Sequence, residues 1–400
     1  MEQETNETQP ASTPSTPLVV IAQLRRQLAG LMHIEDHTVI KHPDEVIAFR
    51  GEINGDTEET FEELARRFAA QGYTATLHEE PDGGHKVIAI KGVAQSKSSR
   101  VWINVVLFAV TLVSALYIGA GYALQDANLL TGESGGLDVL IMPLTHLHWG
   151  FPFAGTLMGI LLAHELSHYF VARRYGSPVS LPYFIPMPFS LMGTMGAVIV
   201  QRAPMRNRKA LFDIGVAGPI GGLVVAIPLL ILGLALSSVA PPPGDVDVVW
   251  QEGNSLLYIG IKYLVFGKIL PSNGEDVWLH PVAFAAWAGL LVTMINLIPV
   301  GQLDGGHVSY ALLGHRAQRL GFIAIAAMAA WGTWLLVSGN EAGGFWLTWS
   351  FLNLVINPRH PPPLDDATRL DGRRIAFGLL VVAIFVLTFM PAPLREIRLQ

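Results

Sequence analysis

Residues 164–168 read His-Glu-Leu-Ser-His. On a helix, His164 and His168 lie one turn apart and project from one face, with Glu165 beside them. Two imidazoles so placed can hold a divalent metal, and the carboxylate can act as a base toward water. That is the chemistry of zinc-dependent hydrolysis. The flanking residues sharpen the reading: Trp149–Ala172 carries no charge before Glu165 and ends on Arg173 and Arg174. Such a stretch is apolar enough to cross a bilayer, and ionisable groups inside a span are costly enough to need a functional reason. At the rise of an α-helix the two histidines lie about 9–15 Å from those arginines, submerged but nearer one surface.

A catalytic zinc takes three protein ligands and keeps a fourth position for water. His164 and His168 supply two. The third must be a histidine or carboxylate from another element at matching depth, and Asp304 is the best candidate. It follows an apolar run at the mouth of a span, is followed by Gly305 and Gly306, and has no Lys or Arg beside it. His307 is the alternative ligand, or a partner to one. Glu165 is then the natural general base. Leu161, Leu162 and Phe170 are expected to face lipid and exclude bulk water. Other polar residues are set aside. His146 and His148, beside Trp149, suit an interfacial belt; His315 and His360 adjoin arginines in loops expected to be solvated; Asp213 is expected to anchor a span entrance beside Lys209.

The elements that must position these groups follow from composition. Hydrophobic residues make up 51% of the 400-residue chain and charged residues 14%, too few charges for an ordinary soluble protein. The absence of cysteine excludes thiol catalysis, thiolate-bound zinc and disulfides. The net charge of −6 gives no sign of nucleic-acid binding. The expected fold class is a polytopic α-helical membrane protein of about seven spans, with a small N-terminal α/β cytoplasmic domain.

Four parts are expected. Residues 1–17, rich in Thr, Ser, Pro, Gln and Glu, have too little apolar surface to fold and lack the basic start and apolar core of a secretory signal. Residues 18–95 form the accessory domain. It reads as a helix over Leu18–His33, a strand in Glu45–Ile53, a helix over Thr57–Gln71 capped by Thr57, and strands Tyr73–His78 and Lys86–Ile90 around the turn Pro81–Gly84. Residues 100–315 form the catalytic membrane core, and residues 316–400 the last helices. The first span, Val101–Leu124, follows Lys91, Lys97 and Arg100, whereas the loop Gln125–His148 has no Lys or Arg. The positive-inside rule therefore puts the N-terminal domain in the cytoplasm. Ser177–Met205 is a poor membrane helix, within which Gly193–Gln201 reads as an extended hairpin or edge strand. Lys209–Ser237 spans and leads to Pro241–Pro243 outside. Leu256–Leu270 is expected to lie at the interface, because only then does Pro281–Val300 deliver Asp304 to the depth of the histidines. Leu320–Val337, Gly344–Ile356 and Ala376–Met390 follow, with an external C-terminus.

The motifs resemble the site-2 protease family (peptidase family M50) of intramembrane metalloproteases. The matching pieces are His164-Glu165-Leu-Ser-His168, Gly193-Thr-Met-Gly196-Ala, Ala217-Gly218-Pro219 and Asn296-x-x-Pro299-x-x-x-Leu303-Asp304-Gly305. Leu181–Pro186 and Arg208–Asp213 resemble its EGY-like branch, known from chloroplasts with bacterial relatives. The resemblance covers about residues 100–315. It implies Zn2+ held by His164, His168 and Asp304, catalysis by Glu165, and transmembrane protein substrates in the lipid bilayer. Gly193 and Gly196 would belong to a membrane-inserted hairpin that presents substrate as an added strand, with Asn296 and Pro299 shaping the cleft. Asn296 either donates a hydrogen bond to the transition state or packs helices. A bacterial cell membrane is the expected setting. A metal transporter and a non-catalytic scaffold for membrane proteins are the competing readings. Neither substrate identity nor oligomeric state follows from the sequence.

Overall fold

The computed structural model describes residues 17–40, 46–80, 82–92, 100–127, 129–130, 136–241, 248–356 and 358–398. The expected unfolded stretch lies outside them except for Pro17, as do Lys97, Pro81 and all but the first residue of Pro241–Pro243. The chain divides into two compact units, Met1–Gln95 with Leu364–Thr368, and Ser96–Pro363 with Arg369–Gln400.

The first unit contains α1 (Pro17–Leu28), β1 (Met32–Ile40), β2 (Val46–Ile53), α2 (Thr57–Ala70), β3 (Tyr73–Glu79) and β4 (His85–Lys91). The four strands form an antiparallel sheet in the order β1-β2-β4-β3. Phe49, Val87 and Leu77 face one another across β2, β4 and β3 and are fully buried. Phe61, Leu64 and Phe68, one stripe of α2, close the core from one side. Two corrections to the sequence reading arise here. The cap of α2 is Asp56, whose carboxylate accepts from the Glu58 and Glu59 amides at 2.9 and 3.1 Å, and Thr57 is already helical. The domain also has a strand that the apolar pattern missed: β1 is an edge strand, largely exposed, with a register break between Ile34 and Asp36. The other edge, β3, is extended by the remote segment Leu364–Thr368. The Leu77 amide donates to the Leu364 carbonyl at 2.7 Å and the Asp366 amide to the Leu77 carbonyl at 2.8 Å.

The second unit is built from helices. In chain order these are α3 (Val101–Asp126), α4 (Asp138–Thr145), α5 (Phe151–Arg174), α6 (Arg208–Ala235), α7 (Leu256–Phe266), α8 (Pro281–Asn296), α9 (Asp304–Leu313), α10 (Arg316–Val337), α11 (Gly343–Ile356) and α12 (Gly372–Thr388). Three short antiparallel pairs join them: β5 (Tyr183–Pro186) with β6 (Thr194–Val198), β7 (Ser238–Ala240) with β9 (Asp276–Trp278), and β8 (Val248–Glu252) with β10 (Leu394–Arg398). By length and composition α3, α6 and α10 can each cross a membrane. Helix α5 has 24 residues and carries the polar motif, while α7, α8 and α11 are shorter apolar helices.

Helix α5 sits at the centre, buried against α3, α6 and α8. Phe153, Leu157, Ile160 and Leu161 on it are almost wholly buried. Leu161 therefore faces protein rather than lipid, contrary to the sequence expectation, whereas Phe170 is exposed as expected. Helix α7 has 11 residues, about 16 Å of helix. That cannot cross a hydrocarbon layer of about 30 Å. Ser255 caps it and the left-handed Gly267 ends it. Its Lys262 is fully buried against the Tyr258 ring and lies 3.9 Å from Glu252 at the end of β8, so the charge that interrupts the apolar run is an internal tie.

Candidate metal centre

Helix α5 delivers His164, Glu165 and His168, which are 3%, 5% and 5% exposed. Asp304 arrives as the first residue of α9, after the tight segment Leu297–Leu303 that follows α8. Asp304 there meets both histidines. Asp304 Oδ2 lies 3.1 Å from His164 Nε2, Asp304 Oδ1 lies 3.1 Å from His168 Nε2, and the two Nε2 atoms are 3.2 Å apart. These are the only residues among those described whose His, Asp or Glu donor atoms cluster in threes.

The donor set fits zinc. Tetrahedral ligation with bonds of about 2.0–2.2 Å separates ligand atoms by about 3.3–3.6 Å, a little beyond the spacing found. The tautomer fits too. A carbonyl can only accept, so the 2.7 Å contact between His168 Nδ1 and the Ile214 carbonyl makes Nδ1 the N–H and leaves Nε2 with its lone pair toward the cluster.

Helix α6 makes this possible by having almost no side chain where it meets α5. A Cβ on Gly218 would fall 2.0 Å from His168 Nε2, and one on Gly222 would fall 3.2 Å from His164 Nδ1. Gly215 plays the same part toward His307, whose Cβ lies 2.8 Å from the position of a Cβ there. These glycines, spaced at helical intervals, are the small-residue stripe that lets membrane helices approach. The stripe is present in the sequence, where only Ala217-Gly218-Pro219 stands out as a motif.

A cavity of about 630 Å³ opens onto the cluster. Its wall includes His164, His168 and Asp304, then Glu165, Asn296 and His307, the extended run 197–205, and residues 360–363. Asn296 Nδ2 lies 3.3 Å from His164 Nε2. Gly193, Gly196 and Pro299 are not in the wall. Gly193 instead shapes the hairpin: at φ +73° it lies against α3, where Ser114 Oγ donates to its carbonyl at 2.6 Å. His307 is no part of the ligand cluster; its Nδ1 lies 2.7 Å from His360 Nε2. His360 corrects the sequence reading, being 7% exposed and part of the cavity wall instead of solvated. Asp213 is held by Arg374 at 2.6 Å and by the Tyr175 hydroxyl, a tie of α6 to α12 and α5. His146 and His148 lie beside each other and Trp149, outside the cluster.

A buried two-histidine, one-aspartate cluster with a carboxylate beside it, set among apolar helices, is an arrangement able to hold a metal ion. Residues 152–337 match the model of peptidase family M50, from α5 through α10. The resemblance drawn from the motifs is borne out. Among curated relatives, a rice (Oryza sativa subsp. indica) protein called probable zinc metalloprotease EGY2, chloroplastic, is 27% identical over 87% of this chain and 62% of its own length. The Arabidopsis thaliana probable zinc metalloprotease EGY1, chloroplastic, is 28% identical over 87% of this chain and 66% of its own length. A rice (subsp. japonica) EGY1 is 29% identical over 87% and 63%. The chain thus spans under two thirds of the length of these relatives. No solved structure matches it.

Proposed function

We propose that this chain is an intramembrane zinc metalloendopeptidase that hydrolyses peptide bonds in or near transmembrane segments of other membrane proteins. The observation that carries it is the meeting of Asp304 with His164 and His168, across 140 residues of sequence, beside Glu165 in one buried cavity. His164, His168 and Asp304 would hold zinc, which when bound supplies Lewis acidity toward water and the scissile carbonyl. Glu165 takes the proton from the attacking water and passes it to the leaving amine. The Ile214 carbonyl holds the His168 ring in its ligating orientation. Asn296 points its amide N–H toward the cluster, where it can donate to the oxygen of the carbonyl under attack.

A peptide bond within a helix must be unwound before attack. Strand β6 pairs with β5 on one edge and continues into the cavity wall, so an unwound segment can add to the free side of that run. About seven crossings, a cytoplasmic N-terminal domain, and a bacterial cell membrane complete the reading. The first two are supported by the Lys and Arg distribution and by the shortness of α7.

The test is zinc analysis and cleavage of a labelled single-span substrate by the purified chain. Glu165→Gln should keep one zinc per chain and lose about 10²–10⁴-fold in rate. Asp304→Ala should lose zinc, and His307→Ala should keep it. Full zinc in Asp304→Ala, or cleavage surviving in Glu165→Gln, would sink the assignment.

A further inference from the structure

Beyond β6 the chain stays extended, and Gln201 forms an antiparallel bridge with Val179. The Ser180 amide donates to the Val200 carbonyl at 3.1 Å, and the Arg202 amide to the Pro178 carbonyl at 2.9 Å. In an antiparallel pair, two such bonds flank a residue whose own N–H and C=O point to the opposite edge. Gln201 is that residue. Its backbone is turned to the free edge of the run, as is that of Ile199, whose amide faces the Glu165 carboxylate. At the rise of a strand, Gln201 lies roughly 7 Å along that edge from Ile199.

The side chains alternate as well. Val198 and Val200 are each 47% exposed, whereas Ile199 and Gln201, on the other face, are less so. Gln201 lines the cavity. Both polar atoms of its carboxamide are shielded from solvent, and neither has a hydrogen-bond partner among the described residues. Buried polar atoms are nearly always paired, because an unpaired one has given up its water for nothing. Two on one residue, in the wall of a reaction site, mark a place that something else completes. A carboxamide carries the donor and acceptor of a peptide group. A transmembrane segment unwound for cleavage exposes those same groups, and lipid offers no water to satisfy them.

We infer that Gln201 binds the substrate backbone. Its own N–H and C=O take one rung of the added strand, and its carboxamide takes a neighbouring peptide group freed by unwinding. The inference rests on the reading of the cavity as a peptide-hydrolysing site. Contact through the backbone leaves the substrate's side chains unread here, so sequence is tolerated except for proline, which lacks the amide.

The test is steady-state cleavage of the single-span substrate by the full chain carrying Gln201→Leu or Gln201→Ala. KM should rise about tenfold with kcat and zinc content unchanged, as loss of a hydrogen bond made equally in ground and transition states requires. Gln201→Leu keeps the volume and removes two unpaired polar atoms, so its thermal stability should hold or rise. A carboxamide that merely propped the wall would lower stability on removal and leave KM alone. Substrates with single peptide N–H groups replaced by ester oxygens then identify the partner. One ester should weaken cleavage by wild type and leave Gln201→Leu indifferent, the coupling that direct contact gives. If Gln201→Leu does not fold, Gln201→Ala carries both measurements. An unchanged KM in the variants, or esters that affect wild type and variant alike at every position, would overturn the role of Gln201 alone. A wild-type chain that cuts nothing would overturn the protease reading and this inference with it.

Discussion

Gly218 leaves less room for change than any ligand it supports. A methyl group there would sit 2.0 Å from His168 Nε2, and the atom in the way is a ring atom fixed at its far side by the Ile214 carbonyl. The imidazole must tilt, and its lone pair then misses the cluster. Gly218→Ala should therefore cost about 10–100-fold in zinc affinity, the usual effect of disturbing the support of a ligand. Zinc titration of the purified variant checks this, and wild-type affinity would show that α6 yields instead. The asymmetry explains what the residues alone revealed. His164, Glu165 and His168 were legible because helix geometry fixes their relation within five residues. Asp304 was legible because a carboxylate at the end of an apolar run demands a reason. The Ile214 carbonyl and His360 were not: a backbone acceptor has no side-chain signature, and an Arg-His-Pro sequence reads as solvated until tertiary contacts bury it.

At the scale of elements, apolar period carried the information, and it failed where an element is polar. Helix α2 was readable from Phe61, Leu64 and Phe68, while β1, reading Met-His-Ile-Glu-Asp-His-Thr-Val-Ile, buries too little to alternate. The annexation of Leu364–Thr368 by β3 was invisible for another reason, since pairing across almost 290 residues leaves no local trace. It carries a pH dependence that can be measured. Burial raises the Asp365 pKa above the ordinary carboxylate value, against the lowering effect of the Thr368 hydroxyl and the two amides. A carboxyl whose folded pKa is raised contributes docking stability that is fully present below its unfolded pKa. That stability is lost as pH rises through the folded value. Protection of the Leu77 amide, corrected for intrinsic exchange, should therefore decline as pH climbs out of the ordinary carboxylate range. In Asp365→Asn, which keeps an oxygen to accept from Ala367 and Thr368, protection should stay level with pH. A slope that persists in the variant would assign the effect to another group.

The whole molecule poses a question of sides. Basic residues precede α3, Arg173 and Arg174 end α5, and Arg316 and Arg319 begin α10, while Gln125–His148 has no Lys or Arg. Under the positive-inside rule the proposed topology would put the N-terminal unit and the end of α5 in the cytoplasm. In that topology helix α6 would run outward and α7 would be too short to return, which leaves α8 to bring the chain back to Asp304. Pairing of β8 with β10 returns the C-terminal strand to the segment that follows α6, so the proposed topology puts both on one face. The lack of native cysteine makes the arrangement testable one residue at a time. Lys268→Cys, between α7 and β9, and Glu341→Cys, between α10 and α11, should react with a membrane-impermeant maleimide in intact cells. Arg66→Cys on α2 and Arg173→Cys at the end of α5 should react only after permeabilisation. All four side chains are exposed enough to report. Labelling of Lys268→Cys from the cytoplasm would mean that α7 crosses after all. Asp304 would then have to enter from the face opposite the histidines, and its distance of 3.1 Å from His164 would not survive in a bilayer.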